Sequence, residues 1–277
     1  MKWFKVLLVL LVFLNVQELM SQTYGCTDPQ ATNYDESAIA NDGSCYYPPT
    51  VTTPAQLYQL ADELNENSGL IHFRNQLLTM NDSGGEAKLF VLNKETGNIE
   101  QSIQISNATN VDWEELAQDN QYIYIGDFGN NYGNRTDLKV YKVNKNDIPT
   151  SGNASITADI INFSYADQLN LGDSDYDCEA CFVENEYIVL FSKSWVTANT
   201  RVYHLPKVPG NYELNVVDQY DIDGFITAAD INDQRNTAVL LGYKDYNPFM
   251  WILYDFQNAS YFSGHKRRID FNNMFAR

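Results

Sequence analysis

The sequence predicts an all-β chain, a β-propeller preceded by a small disulfide-closed module, on three observations. A unit repeats without a gap. Asp112-Trp113-Glu114 followed by Tyr122-Ile123-Tyr124-Ile125 returns as Asp177-Cys178-Glu179 followed by Tyr187-Ile188-Val189-Leu190. Self-similarity over a few tens of residues signals stacked supersecondary units, and short strands in each unit signal a radial β arrangement. The composition agrees: 19 Tyr and 14 Phe suit half-buried strands. Finally, the apolar runs are short and bounded by Asn, Asp and Gly turns, as blades require.

Residues 1–21 read as a signal peptide, with Lys2 and Lys5 before an apolar stretch from Val6 to Val16 and the small Ser21 before cleavage. That stretch is short for a bilayer and nothing else approaches it, so no membrane span is expected after cleavage and the location is secreted or cell-surface. Residues 22–47 form an acidic, turn-rich module flanked by Cys26 and Cys45. A disulfide is the default pairing in an exported chain. Closing such a loop contributes about 3 kcal/mol on the chain-entropy model. Asp28, Asp35, Glu36 and Asp42 offer oxygens to a hard cation, although their spacing is not that of an EF-hand. Residues 48–66 read as a linker or short helix. Pro48-Pro49-Thr50-Val51-Thr52-Thr53-Pro54 is linker-like, and Thr53 is placed to cap a helix with Leu57, Leu60, Ala61 and Leu64 on one face. The alternative is an outer strand of a closing blade.

The propeller runs over residues 67–277. Second strands of successive units are expected at Leu77–Met80, Ile123–Ile125, Ile188–Phe191 and Ala238–Leu241, and third strands at Lys88–Leu92, Lys139–Val143, Arg201–Leu205 and Met250–Tyr254. Outer strands at 99–105, 156–163 and 212–220 complete three units. Units of roughly 45 to 65 residues are slightly looser than the usual propeller repeat. The basic run His265-Lys266-Arg267-Arg268 reads as a solvated strand end. Cys178 and Cys181 fall on a strand, where residues three apart point to opposite faces, so they read as separate buried thiols.

A formal net charge of −18 excludes nucleic acid as a partner and suits an extracellular protein or one that holds cations. No GxSxG, HExxH or phosphate-cradling glycine loop is present, and the three His are far apart. The chemistry therefore rests on acids. The innermost strand of a blade lines the central channel. Asp112 and Glu114 share a face there, as do Asp177 and Glu179, from adjacent blades. Two neighbouring carboxylates repel unless a cation or a shared proton relieves them. Calcium is the candidate cofactor, with Glu114, Glu179, Asp127 and Asp82 as metal ligands and Asp112, Asp177 and Lys193 as ligand-binding residues. In the fourth unit the aligned stretch is Thr227-Ala228-Ala229-Asp230, so the acid ring is incomplete. Asp82 and Asp127 occupy equivalent places after their strands, and Lys193 sits where the second unit has Phe128. The competing reading is structural: a repeated Asp-x-Glu can serve the same turn hydrogen bonds in every blade.

Two resemblances add to this. Gly25-Cys26-Thr27-Asp28-Pro29, Ala31-Thr32-Asn33-Tyr34-Asp35 and Asp42-Gly43-Ser44-Cys45 resemble the Cys-flanked GCTDP…NYD…DGSC module of surface proteins from bacteria that use type IX secretion. No firm activity attaches to that module. From Asn67 onward the chain resembles secreted bacterial β-propellers distantly related to esterase-like phytases. The likeness is carried by Asn81-Asp82-Ser83-Gly84-Gly85, Asn110-Val111-Asp112-Trp113-Glu114-Glu115, Gly126-Asp127-Phe128-Gly129-Asn130-Asn131, Arg135-Thr136-Asp137, Phe191-Ser192-Lys193 and Gly224-Phe225-Ile226-Thr227. It implies a ring of five or six blades with another blade after Phe271. About four are present, so a C-terminal truncation is expected. Two functions follow: a surface or extracellular binding module for an unknown extracellular ligand or surface component, stabilised by calcium, or a calcium-dependent phosphoesterase. In the second, Glu114, Glu179 and Asp127 hold metal and Lys193 holds phosphate at the channel mouth. Binding ranks first, because fold-level analogy is weak warrant for chemistry.

Overall fold

The structure, a computed structural model, describes residues 23–274; the expected signal peptide and residues 275–277 lie outside the described residues. Four antiparallel sheets form four blades of a propeller. They comprise Asn67–Phe73, Gln76–Asn81, Lys88–Leu92 and Ile99–Ile105; Trp113–Gln118, Tyr122–Asp127, Lys139–Asn144 and Asp159–Tyr165; Asp177–Glu184, Tyr187–Lys193, Thr200–Pro206 and Val216–Tyr220; and Phe225–Asn232, Thr237–Lys244, Asn247–Tyr254 and His265–Phe271. Second and third strands lie where the apolar runs place them.

The outer edges differ from expectation. The runs 156–163 and 212–220 each divide between two blades. Ala154–Ile156 pairs in parallel with the outer strand of the first blade, and Asp159–Tyr165 is the outer strand of the second. Likewise Gly210–Leu214 joins the second blade and Val216–Tyr220 the third. The division covers edges that would otherwise offer unpaired N–H and C=O groups. Thr50–Thr52 does the same for the fourth blade. No helix follows it. Residues 53–61 form neither helix nor strand, Asp62–Leu64 is a single 3₁₀ turn, and Leu60 and Leu64 pack onto Phe90 and Leu92 of the first blade.

The basic run is not a solvated end. It opens the outer strand of the fourth blade and carries the N-terminal module. His265 is buried, with Nδ1 3.1 Å from Tyr47 Oη, and Tyr47 donates to Asp28 at 2.8 Å. Lys266 donates to the carbonyls of Gly43 (2.9 Å) and Phe262 (2.8 Å), and the Arg267 guanidinium lies over the Tyr47 ring. Within the module the Cys26–Cys45 disulfide is formed. Asp28, Asp35, Asn41 and Asp42 each accept the backbone N–H two residues on, from Gln30, Ser37, Gly43 and Ser44. The spacing of the module's acids therefore encodes Asx turns.

All four inner strands carry a β-bulge at the same place, with Gly69, Glu114, Glu179 and Thr227 as the extra residues. The bulge overturns the strand-alternation reading of the cysteines. With Glu179 out of step, Cys178 and Cys181 face the same side, both free and buried in the core between the second and third blades. Three seams are filled this way. Met80 and Ile123 cluster around Trp113 in the first, Tyr165 meets Tyr203 in the second, and Phe182 and Phe191 meet Tyr261 beside Phe249 in the third. Among the described residues no such cluster joins the fourth blade to the first. A cavity of about 280 Å³ lies there between Leu70, Glu115, Ala228 and Leu241, with Leu70 56% and Leu241 40% exposed.

Substitution tests this asymmetry. Trp113→Ala should cost about 3–5 kcal/mol in urea unfolding. Leu241→Ala should cost under about 1 kcal/mol, as an exposed position does. A loss at Leu241 as large as that at Trp113 would mean that the fourth seam is packed.

Candidate functional site

The bulges fall near the N-terminal ends of the inner strands, where the acids gather. An extra residue stands outside the ladder and is re-aimed, which is why bulges recur beside binding sites. In the first blade it is Gly69, at φ +58°, where a Cβ would lie 2.8 Å from the Leu116 nitrogen. In the second and third it is Glu114 and Glu179, and in the fourth Thr227. The acid ring is thus confined to two of the four bulges.

Asp82, Asp112 and Glu114 come together, one carboxylate oxygen of each lying within 4.8 Å of the others. Gly129 permits this. A Cβ there would stand 2.2 Å from Glu114 Oε1 and 2.5 Å from Asp112 Oδ2, so bare backbone packs against both carboxyls. Glu114 is only 6% exposed, and its carboxyl makes no hydrogen bond or ion pair among the described residues. Burial, then the charges of Glu179, Asp82 and Asp112, push this carboxyl far above the usual range. Asp112 is pushed up to about 6 by burial and then by Asp82. Burial raises Glu179 too, partly offset by the Lys193 ammonium that pairs with it.

The other expected residues sit elsewhere. Asp127 is fully buried and accepts from Arg135 Nη2 (2.9 Å) and the Asp112 nitrogen (3.1 Å), with Lys139 Nζ at 3.9 Å. Its equivalence with Asp82 does not hold. The ladder pairs Trp113 with Asp127 but Ser68 with Met80, so Asp127 matches Met80 and Asp82 matches Gly129. Asp177 is also consumed, accepting from the nitrogens of Asn130 (2.6 Å) and Cys178 (2.9 Å) and from Trp195 Nε1 (2.8 Å). Lys193 does occupy the place of Phe128. The structural role of the repeated Asp-x-Glu is thus visible in Asp177 alone, while Asp82, Asp112 and Glu114 are left facing one another.

Three participants had no assigned role in the sequence reading. Arg135 holds Asp127 and Asp137 and donates to the Gly129 carbonyl at 2.8 Å. Trp195, two residues beyond Lys193, orients Asp177. Glu115, next to the bulge, crosses the axis and accepts the Ala229 nitrogen of the fourth blade at 3.3 Å; burial pushes it up to about 8. Arg135 and Glu115 lay within the runs that carry the resemblance to secreted β-propellers, and Trp195 lay outside them.

A cluster of carboxylate oxygens is a hard donor set, suited to calcium, magnesium or manganese rather than to zinc or copper. No family model and no curated protein matches the chain. Among solved structures it is similar to the PQQ-bound aldose sugar dehydrogenase of Streptomyces coelicolor (9% identity, 78% of this chain and 84% of that one, TM-score 0.41). It is also similar to hydrazine synthase of Kuenenia stuttgartiensis (10%, 73% and 53%, 0.37) and to a provisionally assigned 6-phosphogluconolactonase of Bacteroides uniformis (10%, 85% and 61%, 0.35). At such scores these likenesses carry no argument about ligand or activity.

The raised carboxyls fix a pH dependence. The folded state binds protons that the unfolded chain has released, so metal-free stability should fall as pH rises from about 4.5, the ordinary carboxyl value, through 6 and beyond. Melting curves in EDTA between pH 5 and 8 should show Tm declining, and Glu114→Gln should flatten the slope. A Tm that rises across that window would show that the three acids are not held close together.

Proposed function

We propose that the protein is an extracellular binding module whose channel mouth holds a hard divalent cation, calcium by preference, through Asp82, Asp112 and Glu114, with Glu179 beside them. The observation that carries the reading is the Glu114 carboxyl, buried and, among the described residues, without a hydrogen-bond partner beside two further acids. Burying a carboxylate unpaired is costly, and a cation removes the cost for all three at once. The extracellular setting is supported by the Cys26–Cys45 disulfide and the signal-like leader. No helix among the described residues is long and apolar enough to cross a membrane.

Binding is favoured over phosphoester hydrolysis because the cations needed to hold a phosphate are already engaged. Lys193 pairs with Glu179, and Arg135 pairs with Asp127 and Asp137. Asp127, a ligand in the hydrolytic reading, faces that guanidinium rather than the acid group.

Calcium at a hundredfold excess over its Kd should stabilise the fold by about 2.7 kcal/mol, raising Tm by about 5–10 °C over EDTA. Glu114→Gln should remove the shift while leaving the metal-free protein at least as stable as the parent. An unchanged shift in Glu114→Gln would place the cation elsewhere. Calcium-dependent phosphate release that Glu114→Gln abolishes would replace this reading with the hydrolytic one.

A further inference from the structure

We infer that the ligand taken at this mouth is a neutral glycan, its hydroxyls completing the cation's shell and its C–H face lying on an aromatic strip beside the acids. The inference rests on the cation reading above and names the ligand class for the same site. The strip starts at Trp195, which donates to Asp177, and runs onto the fourth blade. Trp195 and Phe225 have ring centroids 5.0 Å apart, Phe225 and Tyr243 5.5 Å, and Tyr243 and Tyr246 stack at 6.3 Å with planes 12° apart. Lys193, which pairs with Glu179, holds its ammonium 4.2 Å from the Trp195 ring and 5.5 Å from that of Tyr243, so strip and acids are contiguous. Trp195 is 38% and Tyr246 66% exposed.

Tyr246 is placed at a cost. It shares with Asp245 the two-residue turn between Thr237–Lys244 and Asn247–Tyr254, and both have positive φ, +49° and +62°. That turn favours Asn-Gly, and a bulky residue in the second position is an outlier. An outlier that presents an exposed ring at the outer end of this strip points to a contact surface.

The chemistry selects the occupant. Calcium takes six to eight oxygens, more than three carboxylates used singly provide, so neutral oxygens must complete the shell. A phosphate ester would meet carboxylates and two cations that are already paired. An organic cation would compete with the Lys193 ammonium already over Trp195. A pyranose offers vicinal hydroxyls on its edge and an apolar face for the rings.

Saturation-transfer NMR on the full chain with cellotriose, laminaritriose and mannotriose, in calcium and in EDTA, tests this beside the calcium-induced Tm shift. At least one sugar should bind in calcium and none in EDTA. Tyr246→Ala should weaken that binding about two- to tenfold, the range of an aromatic contact, while Tyr246→Phe retains it. A full Tm shift with no sugar bound would overturn the glycan inference and leave the cation reading standing. Sugar binding that persists in EDTA, or that ignores Tyr246→Ala, would overturn the shared site. Absence of the Tm shift itself would remove both.

Discussion

One extra residue in each inner strand governs the rest of this molecule. A regular strand would point Asp112 and Glu114 to one face and leave the following residues in step with their neighbours. The bulge instead lets Glu114 and Glu179 leave the ladder while the residues before and after remain paired. Because the bulged position is shared, its occupant decides what each blade contributes: a left-handed glycine in the first, a carboxylate in the second and third, a threonine in the fourth. The same displacement sends both free cysteines into one seam and brings Glu115 across to the fourth blade.

The acids of the channel fall into two populations with different physics. Asp127 and Asp177 are fully buried but held by N–H donors or a guanidinium, and they tie loops to strands. Asp112 and Glu114 are held beside Asp82 with few donors between them, so desolvation and then repulsion oppose the ionisation of both. Arg135 sits on the boundary. It neutralises Asp127 and grips the Gly129 carbonyl, fixing the bare backbone that lets the other carboxyls close in. A propeller is stiff enough to sustain such an arrangement, since three apolar seams bind the second and third blades on both sides.

Much of the fold was legible in the residues. Period-two apolar runs locate the second and third strands, and the Asp-x-Glu repeat marks the inner strand. What the pattern lacked was any sign of a change of partner: 156–163 and 212–220 read as single strands because alternation does not reveal which sheet receives it. The four-strand blade at the C-terminal side was obscured because His265–Phe271 is rich in charge, yet its stems lie against the N-terminal module and Phe249. At the site, residue types and neighbourhood were legible but register was not. Counting from the end of a strand made Asp82 and Asp127 equivalent, whereas the ladder sets them two positions apart. Trp195 was illegible, being a lone aromatic in a loop whose importance arises from contacts across blades.

Locating the cation tests the central claim most directly. Crystals grown with terbium, a calcium-sized ion with strong anomalous scattering, should give a peak among the carboxylates of Asp82, Asp112 and Glu114, within reach of Glu179. A clear peak confined to the N-terminal module at Asp28, Asp35 and Asp42, or none at the channel mouth under saturating terbium, would contradict it.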